Sequence, residues 1–185
     1  MRKVILFRIL NQAISCYTEA IKLAPNFAEA YSGRSVARVD KGDLVEAVED
    51  AIKASQLLPN NSDSYYNLGR AQLAIGKWDL ALENFNKAIT LNPNDFDVYN
   101  NRAIVWAVKG DCEGANADIN IALKINPNLP QAYNNLGNIY RAHGDLDKAI
   151  KAFSRAILFM PNYIKAYYNR ATTLETESSF PKSNC

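Results

Sequence analysis

The chain is 185 residues long, 48% hydrophobic and 22% charged, with a formal net charge of +2. Apolar content on that scale supports one folded domain or a short repeat array and excludes a disordered segment. The near balance of charge excludes the global field of a nucleic-acid or membrane-surface binder.

The first segment, MRKVILFRILNQAISC, puts a basic pair before an apolar run as a secretion leader does, but Arg8 interrupts the run. Ala13 and Cys16 are better explained by a repeat, so export is not expected and a cytoplasmic setting is. No apolar run approaches the ~18 residues that would span a membrane. Cys16, Cys112 and Cys185 are odd in number and far apart, which argues against a disulfide framework or a zinc site and suits a reducing compartment. His143 is the only histidine and reads as an ordinary helix-end residue before Gly144.

Proline sets the frame of the rest. Pro25, Pro59, Pro93, Pro127 and Pro161 stand 34 residues apart, each followed by asparagine, and proline ends helices because it lacks an N–H and crowds the preceding turn. Tyr31, Tyr65, Tyr99, Tyr133 and Tyr167 open a helical segment after each one. Gly42, Gly76, Gly110 and Gly144 then break each unit where a left-handed turn suits a residue without a side chain. Alanines follow at Ala47, Ala81, Ala115 and Ala149, and again at Ala54, Ala88, Ala122 and Ala156. Seven residues apart, they share one helix face and allow close approach of a neighbour.

This period divides residues 1–177 into a single array: a partial first unit 1–27, complete units 28–61, 62–95, 96–129 and 130–163, and a terminal helix 164–177. Residues 178–185 read as a disordered polar tail. AISCYTEAIKLAPN, residues 13–26, matches a second helix whose partner is either missing or replaced by the apolar MRKVILFRIL. Because each unit buries its apolar face only against a neighbour, the array is expected to be a fragment of a longer one or to cap itself as a homodimer through Val4–Leu10.

No phosphate-cradling glycine motif occurs. Glu46, Glu49 and Asp50 lie at surface spacing on a second helix and read as a solvated face. Neither catalytic residues nor metal ligands nor a cofactor are expected, and the chain is not read as an enzyme.

The unit AYNNLGNIYRAHGDLDKAIKAFSRAILFMPN resembles a tetratricopeptide repeat, through Tyr133, Leu136, Gly137, Tyr140, Gly144, Ala149, Phe153, Ala156 and Pro161. The 62–95 unit is similar, through Tyr65, Leu68, Gly69, Gly76, Trp78, Ala81, Phe85, Ala88 and Pro93. Alternate units depart from the pattern: Arg34-Ser35, Arg102-Ala103 and Arg170-Ala171 replace Leu-Gly, hinting at a 68-residue super-repeat, and Ala51 replaces the aromatic. Packing around Ala51 should be looser or compensated by neighbours.

The resemblance implies an all-α, right-handed superhelical solenoid of antiparallel helix pairs, with the first helix of each pair lining a concave groove that holds an extended peptide. Asn67, Asn101, Asn135 and Asn169 recur at one position of the first helices, although asparagine is a poor helix former. In peptide-binding members of the family an asparagine here points into the groove and bonds the backbone of the bound chain. A carboxamide suits that role because it both donates and accepts; bonding between adjacent repeats is the competing use. If first helices stand about 10 Å apart, four asparagines accompany roughly nine extended peptide residues.

Specificity is then expected from flanking positions. Asp63, Asp97 and Lys165, with Glu29 and Gln131, change from acidic to basic along the array, and Tyr66, Asn100, Asn134, Arg70, Asn138 and Arg141 lie beside the ladder. A peptide with a basic segment toward Asp63 and Asp97 and an acidic or carboxyl end near Lys165 and Arg141 would match. The family's chaperone-carboxylate clamp needs lysines where this sequence has Tyr66, Asn100 and Asn134, so docking of that kind is not expected. The function implied is a non-catalytic protein-interaction scaffold. A non-catalytic recognition or targeting segment of a larger enzyme or complex, and a structural homo-oligomer without peptide ligand, are the alternatives.

Overall fold

The computed structural model describes residues 2–179; Cys185 and the part of the expected tail from 180 onward lie outside them. The described residues form ten α-helices: α1 (Arg2–Leu23), α2 (Ala28–Lys41), α3 (Leu44–Leu57), α4 (Ser62–Ala74), α5 (Trp78–Leu91), α6 (Phe96–Val108), α7 (Cys112–Ile125), α8 (Pro130–Ala142), α9 (Leu146–Phe159) and α10 (Ile164–Ser179). The described residues group into two compact units, divided between residues 93 and 94. Consecutive helices pair as hairpins (α2 with α3, α4 with α5, α6 with α7, α8 with α9), and within the units α1, α3, α7 and α9 also pack on the first helices that follow them, α2, α4, α8 and α10. The apolar MRKVILFRIL makes no separate first helix. It runs without a break into the second-helix pattern as α1, of 22 residues.

The tight turns inside the hairpins follow from glycine. Gly42, Gly76, Gly110 and Gly144 have φ of +99°, +77°, +83° and +81°, where a side chain would be strained. The next N–H reaches back to the helix at 2.9 Å each time: Asp43 to Arg38 O, Lys77 to Gln72 O, Asp111 to Trp106 O and Asp145 to Tyr140 O. Carbonyls that a helix end leaves unpaired are thereby satisfied. The opening tyrosines fasten the proline turns, Tyr31 and Tyr65 donating their hydroxyls to the carbonyls of Pro25 and Pro59 at 3.2 and 3.1 Å.

Two kinds of hairpin alternate. In α4–α5 and α8–α9, Phe85 and Phe153 are fully buried and lie flat on glycine: a Cβ on Gly69 or Gly137 would come within 2.7 or 2.5 Å of the ring. In α2–α3 and α6–α7 the phenylalanine is replaced by Ala51 or Ile119, leaving room for Ser35 and Ala103 opposite. Ala51 is nonetheless fully enclosed, with Leu68, Ala71, Val39 and Val48 filling the space.

The arginine of the second kind meets a carboxylate sixteen residues on. Arg34 Nε and Nη2 donate to Asp50 at 2.8 and 2.7 Å, Arg38 joins the same carboxylate, and Arg102 donates to Asp118 at 2.7 and 2.6 Å. Asp50, expected on a solvated face, is therefore buried, its side chain 5% exposed, because two guanidiniums replace its hydration. Donation of its hydrogen bonds to Asp50 raises the pKa of Arg34 above its ordinary value.

Candidate functional site

The ladder asparagines lie on first helices and reach backward. Asn67 Nδ2 donates to Ser32 Oγ at 2.8 Å, Asn135 Nδ2 to Asn100 Oδ1 at 2.9 Å and Asn169 Nδ2 to Asn134 Oδ1 at 3.0 Å. Each bond spans 35 residues, which is one period plus one, so the acceptor sits on the preceding first helix. Asn100 and Asn134 recur for the same reason: each receives the ladder amide of the next repeat. Asn101 Nδ2 donates to Asp97 O in its own helix at 2.9 Å. The series has Gly33 in its first unit because the ring of Tyr17 stands where the side chain would be, 2.4 Å from an added Cβ.

A carboxamide has two N–H donors and an oxygen with two lone pairs. Linking repeats takes one N–H from Asn135 and Asn169 and one lone pair from Asn100 and Asn134. All four line a 560 Å³ cleft in the second unit, Asn135 and Asn169 half-buried and Asn100 and Asn134 buried, together with Asn138, Lys165, Ile104, Gln131, Tyr163, Ile164 and Tyr168. Seven residues singled out from the sequence, Gln131 among them, thus meet at one concavity between α6, α8 and α10. Burial pushes the Tyr163 phenol above its usual pKa, so it stays protonated. The side chains of Ile164 and Tyr168 are largely exposed.

A second concavity of 270 Å³ shares Ile104, Asn135 and Asn138 with the cleft and is otherwise apolar, lined by Ala103, Ala107, Val108, Cys112, Ile139 and Ala142. Sequence reading missed it, along with Tyr163 and Ile164. Its only signal was a run of small residues where the first helix usually turns bulky. Arg141 is held at the side, donating to Thr172 Oγ1 and Asn138 Oδ1 at 3.1 Å each and lying over the Phe153 ring.

The remaining candidates sit elsewhere. In the first unit, Arg70 lies over the Tyr66 ring at 5.8 Å and 3.8 Å from Asp40, with Asp63 exposed at the start of α4. Asp97 is exposed at the start of α6. Among the described residues no His, Cys, Asp and Glu side chains cluster in a way that could hold a metal ion, and no helix is long and apolar enough to cross a membrane.

Helix hairpins on a 34-residue period, closed by glycine and packed through alanine, define a repeat protein whose exposed first-helix positions are variable and polar. Models of the tetratricopeptide repeat match residues 62–95 and 130–163 and residues 10–65, so the chain belongs to the tetratricopeptide-repeat family. Its structure is similar to that of a thermophilic tetratricopeptide-repeat protein of Thermus thermophilus (TM-score 0.81, 22% identity, 90% of this chain and 91% of that one). It is also similar to YrrB, described as having an unusual peptide-binding site (TM-score 0.67, 26% identity, 89% and 84%). A third likeness is to the first repeat domain of RPAP3, solved with the HSP90 peptide SRMEEVD (TM-score 0.61, 22% identity, 64% and 94%). The likenesses show the same fold, and the tetratricopeptide repeats themselves mark a protein-interaction scaffold.

Proposed function

We propose that the cleft between α6, α8 and α10 binds an extended peptide segment of a partner protein, without catalysis. The observation that carries this reading is the set of amides lining it: Asn100, Asn134, Asn135 and Asn169 are fixed by their links between repeats, and each link uses only part of an amide's hydrogen-bonding capacity. Preformed amides can pair with peptide N–H and C=O groups without being reordered, which lowers the entropic cost of binding. At about 10 Å per repeat the cleft accompanies about six extended residues. Each such bond contributes about 0.5–1.5 kcal/mol net, which supports micromolar affinity. The peptide-bound or peptide-binding descriptions of YrrB and RPAP3 support the same reading.

Side-chain preference follows from the neighbours. Among the described residues Lys165 is the cleft's only cationic lining residue and favours an acidic residue or carboxyl terminus. The adjoining apolar cavity takes an aliphatic or aromatic side chain. On a peptide array, Lys165→Glu is expected to reverse the acidic preference, by about tenfold and more steeply at low salt, while the circular dichroism spectrum stays unchanged. Filling the apolar cavity with Ala107→Phe should remove selection for the apolar residue. Peptide profiles that both variants leave unaltered would sink the proposal.

A homodimer through the N-terminal segment is the second reading. It is favoured by Val4, Ile5, Leu6, Phe7 and Ile9, all exposed along α1, since neighbouring exposed apolar side chains mark interaction surfaces. Sedimentation should find a dimer that Leu6→Glu converts to monomer. A wild-type monomer at tens of micromolar would refute it.

A further inference from the structure

The outer face of α10 repeats a pattern that is completed twice elsewhere in the molecule. Arg34 makes three kinds of contact: it lies over the Tyr31 ring at 5.6 Å, donates to Thr18 Oγ1 on the preceding second helix at 3.1 Å, and holds Asp50 on the following second helix through two bonds. Arg170, in the same register, lies over the Tyr167 ring at 5.5 Å and donates to Ser154 Oγ on the preceding second helix at 3.3 Å. Among the described residues it meets no carboxylate, and α10 packs only on α8 and α9. Tyr99 and Tyr133 are 8% exposed, whereas Tyr167 in their place is 44% exposed and Leu174 46%.

The neighbour of each arginine narrows what fits. Where the first helix has glycine, the facing residue is Phe85 or Phe153, and a Cβ would stand 2.7 or 2.5 Å from the ring. Where it has Ser35 or Ala103, the facing residue is Ala51 or Ile119. Ala171 belongs with the second pair and excludes an aromatic opposite it.

We propose that this face docks an α-helix of a partner polypeptide, antiparallel to α10, with the pattern Ala-x-x-Asp-(Ala or Ile)-x-x-Ala. The aspartate closes a bidentate pair with Arg170, and the second alanine seats on the Tyr167 ring as Ala156 does on Tyr133. The pattern is that of Ala47-x-x-Asp50-Ala51-x-x-Ala54 and Ala115-x-x-Asp118-Ile119-x-x-Ala122. A second copy of this chain does not supply it. Its α1 has a second-helix pattern, but brings Cys16 where the aspartate belongs and Tyr17 against Ala171. The surface uses residues other than those of the peptide cleft and stands or falls apart from it.

The chain's own helices serve as probes. A labelled peptide of residues 43–58 should bind the full protein in fluorescence anisotropy, and the same peptide with Asp50→Asn at least tenfold more weakly. A peptide of residues 145–160, with Ala152 and Phe153 at those places, should also bind at least tenfold more weakly. Replacing Arg170→Leu and Ala171→Gly together copies Leu136-Gly137 onto α10 and should reverse the preference between the two peptides. Circular dichroism of this exposed double variant checks its fold. The proposal is overturned if the 43–58 peptide does not bind, if Asp50→Asn binds equally, or if the double variant keeps the wild-type order. Concentration-dependent self-association of the protein alone that the double variant abolishes would also overturn it, by assigning the face to a second copy.

Discussion

Asp118→Ala should destabilise the second unit by about 3–5 kcal/mol, the range for removing one member of a buried ion pair. The Asp118 side chain is 4% exposed and accepts both bonds from Arg102, itself 18% exposed. Its loss takes both bonded oxygens from a guanidinium in an enclosed site. The molecule contains its own control, since Leu136 and Ala152 occupy the corresponding positions in the next hairpin and are buried without any charge. Arg102→Leu combined with Asp118→Ala should therefore recover most of the loss, because an apolar pair of suitable volume replaces a buried ion pair at little net change. Denaturant unfolding of both single variants and the double one completes a thermodynamic cycle. A coupling of about 2 kcal/mol or more is expected; simple additivity would show that the pair contributes no specific interaction.

The second large effect concerns the other kind of hairpin. Phe153→Ala removes a fully buried ring and is expected to cost about 3–5 kcal/mol through lost burial and the cavity left behind. Gly137→Ala works in the opposite sense, pushing a Cβ to 2.5 Å from that ring, and should cost about 1–3 kcal/mol by overpacking. Combining Gly137→Ala with Phe153→Ile reproduces Ala103 with Ile119. That variant should be more stable than Gly137→Ala with Phe153 retained, since the smaller side chain vacates the space the methyl needs. Thermal unfolding that ranks the double variant lowest would contradict this account of the alternation.

Both predictions concern how one hairpin is built, and both have a bearing on recognition. The links from Asn135 to Asn100 and from Asn169 to Asn134 hold neighbouring first helices in register, and the hairpins set where those helices stand. A cleft whose lining amides are fixed from behind has little freedom to lose on binding, whereas the exposed Lys165, Ile164 and Tyr168 can vary without disturbing the fold. Affinity and selectivity are accordingly expected to separate by mutation, the amides carrying the first and the exposed side chains the second.

Helix boundaries, turns and repeat length were legible in the residues because they rest on local chemistry. Proline lacks a donor, glycine alone tolerates the left-handed turn at Gly42, Gly76, Gly110 and Gly144, and alanine marks where two helices touch. The family followed from those same positions recurring in phase. Partnerships were not legible in that way. The spacing of the asparagines is visible along the chain, but the direction in which each amide turns depends on a side chain 35 residues earlier, on a helix whose distance no single repeat specifies. Arg34 and Arg102 stood out as departures, while Asp50 read as a solvated carboxylate, since nothing local distinguishes an acidic residue facing water from one facing two guanidiniums. The apolar cavity beside the cleft likewise arises from small residues on two helices meeting. The sequence by itself thus determined the repeat, its hairpins and its family, through conformational limits acting within a few residues. Only the tertiary structure decided which polar groups join repeats and which carboxylates are buried, because hydrogen bonding and burial are settled by what packs opposite.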